Sequence, residues 1–295
     1  MKVALLGPIC KDHTKIDKKT NLLIGGIVYY AGVTLKNLGA DVTVYGTFNS
    51  KDKAWIQKHF KGINLKHIPD KNTLNVYMEY SSSNPDVRVS RVEKPHKGFI
   101  NPSKKLIKEL EQFDWIILAP LAHTNITLEL VKKLKGKNLV SDNFGFYTAV
   151  EKGKVVCKYP EKLIRVLPYL KYLFLDFNEA ALVSQKKELK DMASFFLKKG
   201  LENLIITEGS KGSHVFMNGA YFKIPAFAPS AIIDPTGAGD SYMAGFIKAL
   251  TIFDEIEKRG RFAAMVATID LETRGAFHST TEEVISRLKK YGVSI

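Results

Sequence analysis

Cysteine is nearly absent from this chain. Cys10 and Cys157 are the two it has among 295 residues, too few for the disulfide frameworks that hold small secreted domains together. Neither sits in a Cys or His pair at zinc-binding spacing, so both read as free thiols. Long apolar runs are missing too. The opening MKVALLGPICK breaks a short hydrophobic stretch with a proline and has no small-residue cleavage pattern, and no later segment approaches the roughly 18 uninterrupted apolar residues of a membrane span. A cytoplasmic protein without a membrane partner is the expectation. There is no internal repeat, no low-complexity tract and no linker rich enough in Pro, Gly or Ser to divide the chain. Residues 1–295 are therefore expected to form one domain. Two nucleotide signatures are also wanting: no G-x-x-x-x-G-K-[ST] phosphate loop occurs, and G-A-G-D-S-Y at 237–242 lacks the third glycine of a dinucleotide fingerprint.

What is present is a hydrophobic fraction of 45%, enough for a sizeable core, and a net charge of +14. The lysines are scattered as KKLK, KKELK, FLKKG and RLKK, mostly at the ends or exposed faces of expected helices, where they suit the helix dipole and solubility. The basic cluster KIDKK at 15–19 contains an aspartate and no interleaved aromatics, a poor surface for single-stranded nucleic acid. No nucleic-acid partner is expected, although a positive field that draws in a polyphosphate is compatible with the charge.

Strand and helix patterns alternate along the chain, which places it in the α/β class. MKVALLG reads as a buried strand, IVYYAGVTLKNLG as a helix closing on Gly39, DVTVYG as a strand and KAWIQKHFKG (53–62) as a helix ending in glycine. At 73–93 the alternation breaks: VYMEY and VRVSRV flank the turn-rich SSSNPD, the pattern of an inserted antiparallel hairpin. It resumes with helices at 102–112, 127–136 and 188–200, with strands WIILAP, NLVSDN, YLFLD and NLIITEG, and with a hairpin of SHVFMNG and AYFKIPA. Helices from 240, over 257–272 and around TEEVISRLKKYG close the chain.

The most informative stretch is DPTGAGDSYMAGF, 234–246. AIID before it reads as a β-branched strand, and Met243, Phe246, Ile247 and Leu250 after it share one helix face. Gly237 and Gly239 can adopt positive φ and, lacking Cβ atoms, let a ligand reach the backbone amides. Those amides join the unpaired N–H groups of a helix's first turn, a place that suits an anion. Asp240 has two readings: an N-cap that stabilises the helix by about 1 kcal/mol, or a base that takes a proton from an attacking hydroxyl while the amides hold a migrating phosphoryl group.

DPTGAGDSYMAGF resembles the C-terminal signature of the ribokinase (PfkB) family of carbohydrate and nucleoside kinases, differing at Pro235 and Tyr242. Further pieces follow in family order over essentially the whole chain. GPICKD resembles the first strand with its substrate-binding acid, here Asp12; IGGIVYYAGVTLKNLGA resembles the N-terminal signature with Gly25 and Gly26; IITEGSKGSHVF resembles the nucleotide-binding segment with Thr207, Gly209 and Gly212. The resemblance implies a three-layer fold of a mostly parallel sheet between helices, with a β lid from segments of approximately 13–24 and 73–98. It implies transfer of the γ-phosphoryl group of ATP, with Mg2+, to a hydroxyl of a small sugar or polyol. Asp240 would be the base; the amides of Gly237, Ala238 and Gly239 would form the anion hole; Asp12, Gly25, Gly26 and Tyr30 would meet the substrate; Asn178 would sit by the nucleotide. Asp234 and Thr236 match positions that bind an activating K+ in some members. The family's N-x-x-E is here Asn178-Glu179-Ala180-Ala181, so Glu179 is the acid left to organise magnesium through water. Tyr30 stands where many sugar kinases carry asparagine, and the GGxxYY pattern is similar to the branch of archaeal myo-inositol kinases.

Alternatives stay open at this point: a nucleoside kinase of the same family, or a non-catalytic binder on the same fold. A homodimer through the lid is compatible with either. His123 and His214 read as packed or surface residues, Asp142 and Asn143 as an Asx turn or substrate contacts, and Arg88 or Arg91 as a reach towards a phosphate. Arg274-Gly275-Ala276 resembles a loop near the nucleotide.

Overall fold

The run VALL has no polar alternation because both of its faces are buried. In the computed structural model, which describes residues 1–16, 19–81, 84–93, 98–142 and 145–294, Val3 and Leu5 join one apolar layer, and Ala4 and Leu6 join the other. They belong to β1 (Lys2–Pro8). The later strands are β2 (Cys10–Ile16), β3 (Lys19–Gly25), β4 (Asp41–Asn49), β5 (Asn64–Asp70), β6 (Leu74–Ser81), β7 (Asn84–Glu93) and β8 (Trp115–Leu118). They continue with β9 (Leu139–Asp142), β10 (Thr148–Glu151), β11 (Lys154–Cys157), β12 (Tyr172–Asp176), β13 (Asn203–Thr207), β14 (Ser213–Met217) and β15 (Ala220–Ile224).

Among the described residues, nine strands form a large sheet in the order β15-β14-β13-β12-β9-β8-β1-β4-β5. Neighbours run parallel from β5 to β13, and β14 and β15 fold back antiparallel at the edge. Helices Ile27–Asn37, Ala238–Ala249, Ile256–Leu271 and Thr281–Lys290 pack into the layer of Val3 and Leu5. Those at Lys104–Leu110, Leu128–Lys133, Pro160–Val166, Phe177–Ser184 and Leu189–Leu197 pack into the other. This is the three-layer arrangement expected of the sequence.

A smaller six-stranded sheet, ordered β10-β11-β7-β6-β2-β3, is assembled from three excursions of the chain. β2 and β3 follow β1, β6 and β7 follow β5, and β10 and β11 follow β9. The third excursion was not anticipated. Its turn is Lys152-Gly153, with φ of 50° and 79°; two residues of positive φ joining β-branched runs are the mark of a tight hairpin, and the Gly was the available signal. The helix expected over 53–62 ends at Gln57, because the chain tightens into i→i+3 turns (His59 N–H to Ile56, Phe60 to Gln57) that drop Phe60 into the core. β5 was missed because it is an edge strand interrupted by Pro69. No helix among the described residues is long and apolar enough to cross a membrane.

Candidate active site

After β1 the large sheet grows through β4 and β5 on one side, and then through β8, β9, β12 and β13 on the other. A parallel sheet with such a reversal opens a crevice at the carboxyl ends of the strands flanking it. A cavity of about 1130 Å3 lies there, between the large sheet and the smaller one.

The GAG segment forms one wall. Gly237 takes φ +89° as the N-cap of the helix Ala238–Ala249, and the first helical hydrogen bond runs from the Ser241 N–H to the Gly237 carbonyl at 2.8 Å. The N–H groups of Ala238 and Gly239 precede that bond and are unused by the helix. Three expectations are corrected. Gly239 is helical rather than left-handed, and Asp240 is the third helical residue, so it does not cap; Gly237 does. AIID is not a strand either but a loop, held by the Ile233 and Asp234 N–H groups on the Leu271 carbonyl at 2.8 and 3.4 Å. Gly237, Gly239 and Asp240 all line the cavity, whereas Ala238 does not. A Cβ on Gly239 would meet nothing within 4 Å, while one on Gly237 would come within 2.4 Å of the Tyr30 ring. The protein's own packing thus requires glycine at 237 and not at 239.

Asp12 faces the same space from β2 with only 3% of its surface exposed. Gly25, its neighbour on β3, lies outside the lining; a Cβ there would fall 1.7 Å from the Asp12 carboxylate, so this glycine makes room for the acid. Gly26 lines the cavity and turns the chain at φ +96° into the helix Ile27–Asn37. Tyr30 borders the cavity too, but it is buried, and its hydroxyl donates to Asp12 Oδ2 at 3.3 Å. It orients the acid. Burial pushes the Cys10 thiol well up, and the charges of Asp12 and Asp240 add to the shift. Both acids therefore act on one small volume around a neutral thiol.

On the far side, Thr207, Gly209, Asn178 and Glu179 line the cavity; Gly212 does not, its φ of +95° serving the turn between β13 and β14. Phe177–Ser184 begins with a capping box: the Glu179 N–H donates to Asp176 Oδ1 at 2.7 Å and the Asp176 N–H donates to Glu179 Oε2 at 3.0 Å. Asp176, not Asn178, is the cap, which leaves Asn178 exposed on the cavity. The carboxylates Asp12, Asp142, Asp176, Glu179 and Asp240 stand along this lining. They are hard oxygen donors of the kind that suit a Mg2+ ion carried in on phosphates, and among the described residues no cluster of three or more His, Cys, Asp or Glu forms a dedicated metal cage. Asp234 lies outside the lining: its Oδ1 accepts the Thr236 N–H at 3.0 Å and its Oδ2 the Gly275 N–H at 3.3 Å. Those bonds tie the 234–236 turn to the 274–276 loop, and neither oxygen is left orphaned to mark a K+ ion.

Asp270, on the helix Ile256–Leu271, is fully buried with no hydrogen bond to either carboxylate oxygen. Burial pushes its carboxyl well up, Ser241 works the other way from close by without reaching hydrogen-bonding geometry, and the charges of Asp240 and Asp234 push it further up.

His123, in the loop after β8, packs against Tyr159 with ring centroids 4.1 Å apart and also lines the cavity. His214 is packed as well: it is buried against Tyr221 and Glu208 at 3.0 and 3.3 Å. Asp142 borders the cavity, whereas Asn143 lies outside the described residues. Arg91 is engaged elsewhere, pairing with Glu93 at 2.9 Å and covering the Tyr77 ring at 4.7 Å. The Arg88 side chain lies outside what the structure describes.

A glycine-capped helix N-terminus beside an acid, facing a second buried acid across a crevice between two sheets, is the arrangement of a phosphotransferase that acts on hydroxyl groups. The pfkB family carbohydrate kinase pattern matches residues 32–283, and the chain belongs to that family. A nucleoside kinase of Methanocaldococcus jannaschii is 32% identical, with 96% of this chain and 97% of that protein covered. Among solved structures, a pyrophosphate-dependent kinase of the ribokinase family superposes with a TM-score of 0.80 at 22% identity, covering 96% of this chain and 99% of that one. The nucleoside kinase of Burkholderia thailandensis in complex with inosine gives 0.76 at 18% identity, covering 99% and 100%. These two likenesses establish the ribokinase-like fold. The family and the M. jannaschii relative make the chain a kinase of sugars or nucleosides.

Proposed function

We propose that this protein is an ATP-dependent nucleoside kinase. The observation that carries the choice of acceptor is the underside of the smaller sheet. Leu74, Val76, Met78, Val92, Val150 and Val155 face the cavity above Asp12. A polyol such as inositol presents hydroxyls all around its ring, and against that wall several would lose their water without a partner, at about 1–3 kcal/mol each. A nucleoside divides the other way: its ribose hydroxyls suit Asp12, and its planar base suits the apolar wall. The expectation from Tyr30 of a polyol pocket weakens on the same geometry, since its hydroxyl is spent on Asp12. The 32% identical relative is itself a nucleoside kinase.

In this reading Asp12 grips ribose hydroxyls and Asp240 accepts the proton of the attacking one. The oxygen–phosphorus bond to the acceptor forms as the bond from the γ-phosphorus to the bridging oxygen breaks, and ADP departs with that electron pair. The Gly237 and Gly239 amides, which border the cavity, and the dipole of their helix take up the charge on the migrating group. Glu179 and Asp176, both on the cavity lining, would hold the water of a Mg2+ ion, which when bound would supply neutralisation of the remaining phosphate charge. The test is ADP release across nucleosides, pentoses, hexoses and inositols, with Asp240→Asn alongside. Turnover on nucleosides that drops at least about 10²-fold in the variant, about 2.7 kcal/mol of barrier, at an unchanged melting temperature, is the expected result. Turnover confined to inositols or hexoses would sink the nucleoside reading, and full turnover by Asp240→Asn would sink the assignment of the base.

A further inference from the structure

The loop after β8 is held more tightly than a connection needs to be. Asn125, 1% exposed, accepts the N–H groups of Leu121 and Ala122 on its Oδ1 at 2.9 and 2.7 Å, and its Nδ2 donates to the Gly98 carbonyl at 3.2 Å. At the tip sits His123. Its backbone N–H and its ring Nδ1 both meet the Thr148 carbonyl, at 3.0 and 2.9 Å. A carbonyl only accepts, so Nδ1 carries the proton, and in the neutral ring Nε2 is then an acceptor. Among the described residues Nε2 has no hydrogen-bond partner, while the ring packs 4.1 Å from Tyr159 and borders the cavity.

The position of this acceptor is set by packing. Leu121, two residues before His123, joins the apolar cluster of Cys10, Leu74 and Val92, together with Val150 and Val155 of the β10–β11 hairpin. Asp12 is two residues beyond Cys10 on the same face of β2. The same cluster thus separates the acid from the imidazole: Asp12 on one side, the apolar wall between, and a fixed lone pair beyond.

We propose that His123 is a specificity-determining residue that accepts a hydrogen bond from an N–H on the edge of the nucleobase, with Val150 and Val155 covering the base's face. This rests on the nucleoside reading. The hydrogen bond of His123 to Thr148 fixes the tautomer and the ring together, so the acceptor is preorganised before substrate arrives.

The experiment pairs substrates with variants. kcat and KM are measured for adenosine against purine riboside, which lacks the amino group, and for uridine against 3-methyluridine, which lacks the ring N–H, in the wild type, His123→Ala and His123→Gln. The wild type is expected to prefer the donor-bearing member of at least one pair. For that pair His123→Ala should lower kcat/KM about 10–100-fold more than for its matched analogue, through KM rather than kcat, and His123→Gln, which keeps an acceptor, should recover part of the loss. Equal losses on both members of each pair would make His123 a structural residue and overturn the proposal. So would no loss on any nucleoside. Failure of the underlying reading shows separately, as a wild type that turns over sugars and no nucleoside at all.

Discussion

Gly239→Ala separates what the fold needs from what the chemistry needs. The residue has helical backbone angles, sits at the second position of Ala238–Ala249, and a methyl built on it touches nothing within 4 Å. Replacing a helical glycine by alanine stabilises by about 0.5–1 kcal/mol in a helix interior and by less at the first turn, so the melting temperature should rise by about 1–2 °C or stay level. Catalysis should move the other way. The open space beside Gly239 belongs to the cavity, and a phosphoryl oxygen must come within about 2.9 Å of the amide to take its hydrogen bond. A methyl in that approach costs the equivalent of one charge-stabilising donor, about 10²–10³-fold in kcat. Thermal melts and ADP release on the same preparation decide it. A variant that melts normally and turns over at the wild-type rate would refute the idea that phosphoryl transfer takes place on this turn; one that melts early would refute the packing on which the contrast rests.

Gly237→Ala should do the opposite to stability. Its φ of +89° costs about 1–2 kcal/mol for a side-chain-bearing residue, and displacing the buried Tyr30 ring 2.4 Å away adds about 1–3 kcal/mol, so the melting temperature should fall by several degrees. Asp270 gives a pH prediction. Its folded-state carboxyl titrates above the unfolded one, so its contribution to stability is full below about pH 4 and is lost as the pH rises through the folded value. Asp270→Asn should therefore melt higher than the wild type at pH 7, with the advantage shrinking towards pH 4; an advantage independent of pH would show that Asp270 is ionised in the fold.

The parallel sheet and the glycine turn at the start of Ala238–Ala249 were legible in the sequence because each has a local cause. VALL and LIIT are continuous apolar runs buried on both faces, and GAGD ahead of Met243, Phe246 and Ile247 announces a helix start next to glycines. The parts not legible depend on long-range partners. Tyr30 reads as a substrate residue, and only the fold shows that its ring also fills the space left by Gly237, more than 200 positions away, and that its hydroxyl reaches Asp12. His123 reads as an ordinary histidine until the Thr148 carbonyl fixes its tautomer. The β10–β11 hairpin escaped because its short strands are only partly buried and so lack the continuous apolar run that marks the equally short β8 and β9.

The smaller sheet is not a flap on one hinge. Its strands leave the large sheet after β1, β5 and β9 and return each time, so the chain passes between the two sheets six times. A plate tethered at three pairs of points can rock, but it cannot swing clear without straining all of them. The three tethers start at different strand ends around the same crevice, with Asp12 on the first excursion, Val76 on the second and Val150 on the third. An acceptor that touches this sheet therefore pulls on β1, β5 and β9 at once. Any settling of the plate onto its ligand is then a concerted step, and the tightness of the fit would register as a rate of closure as well as an affinity.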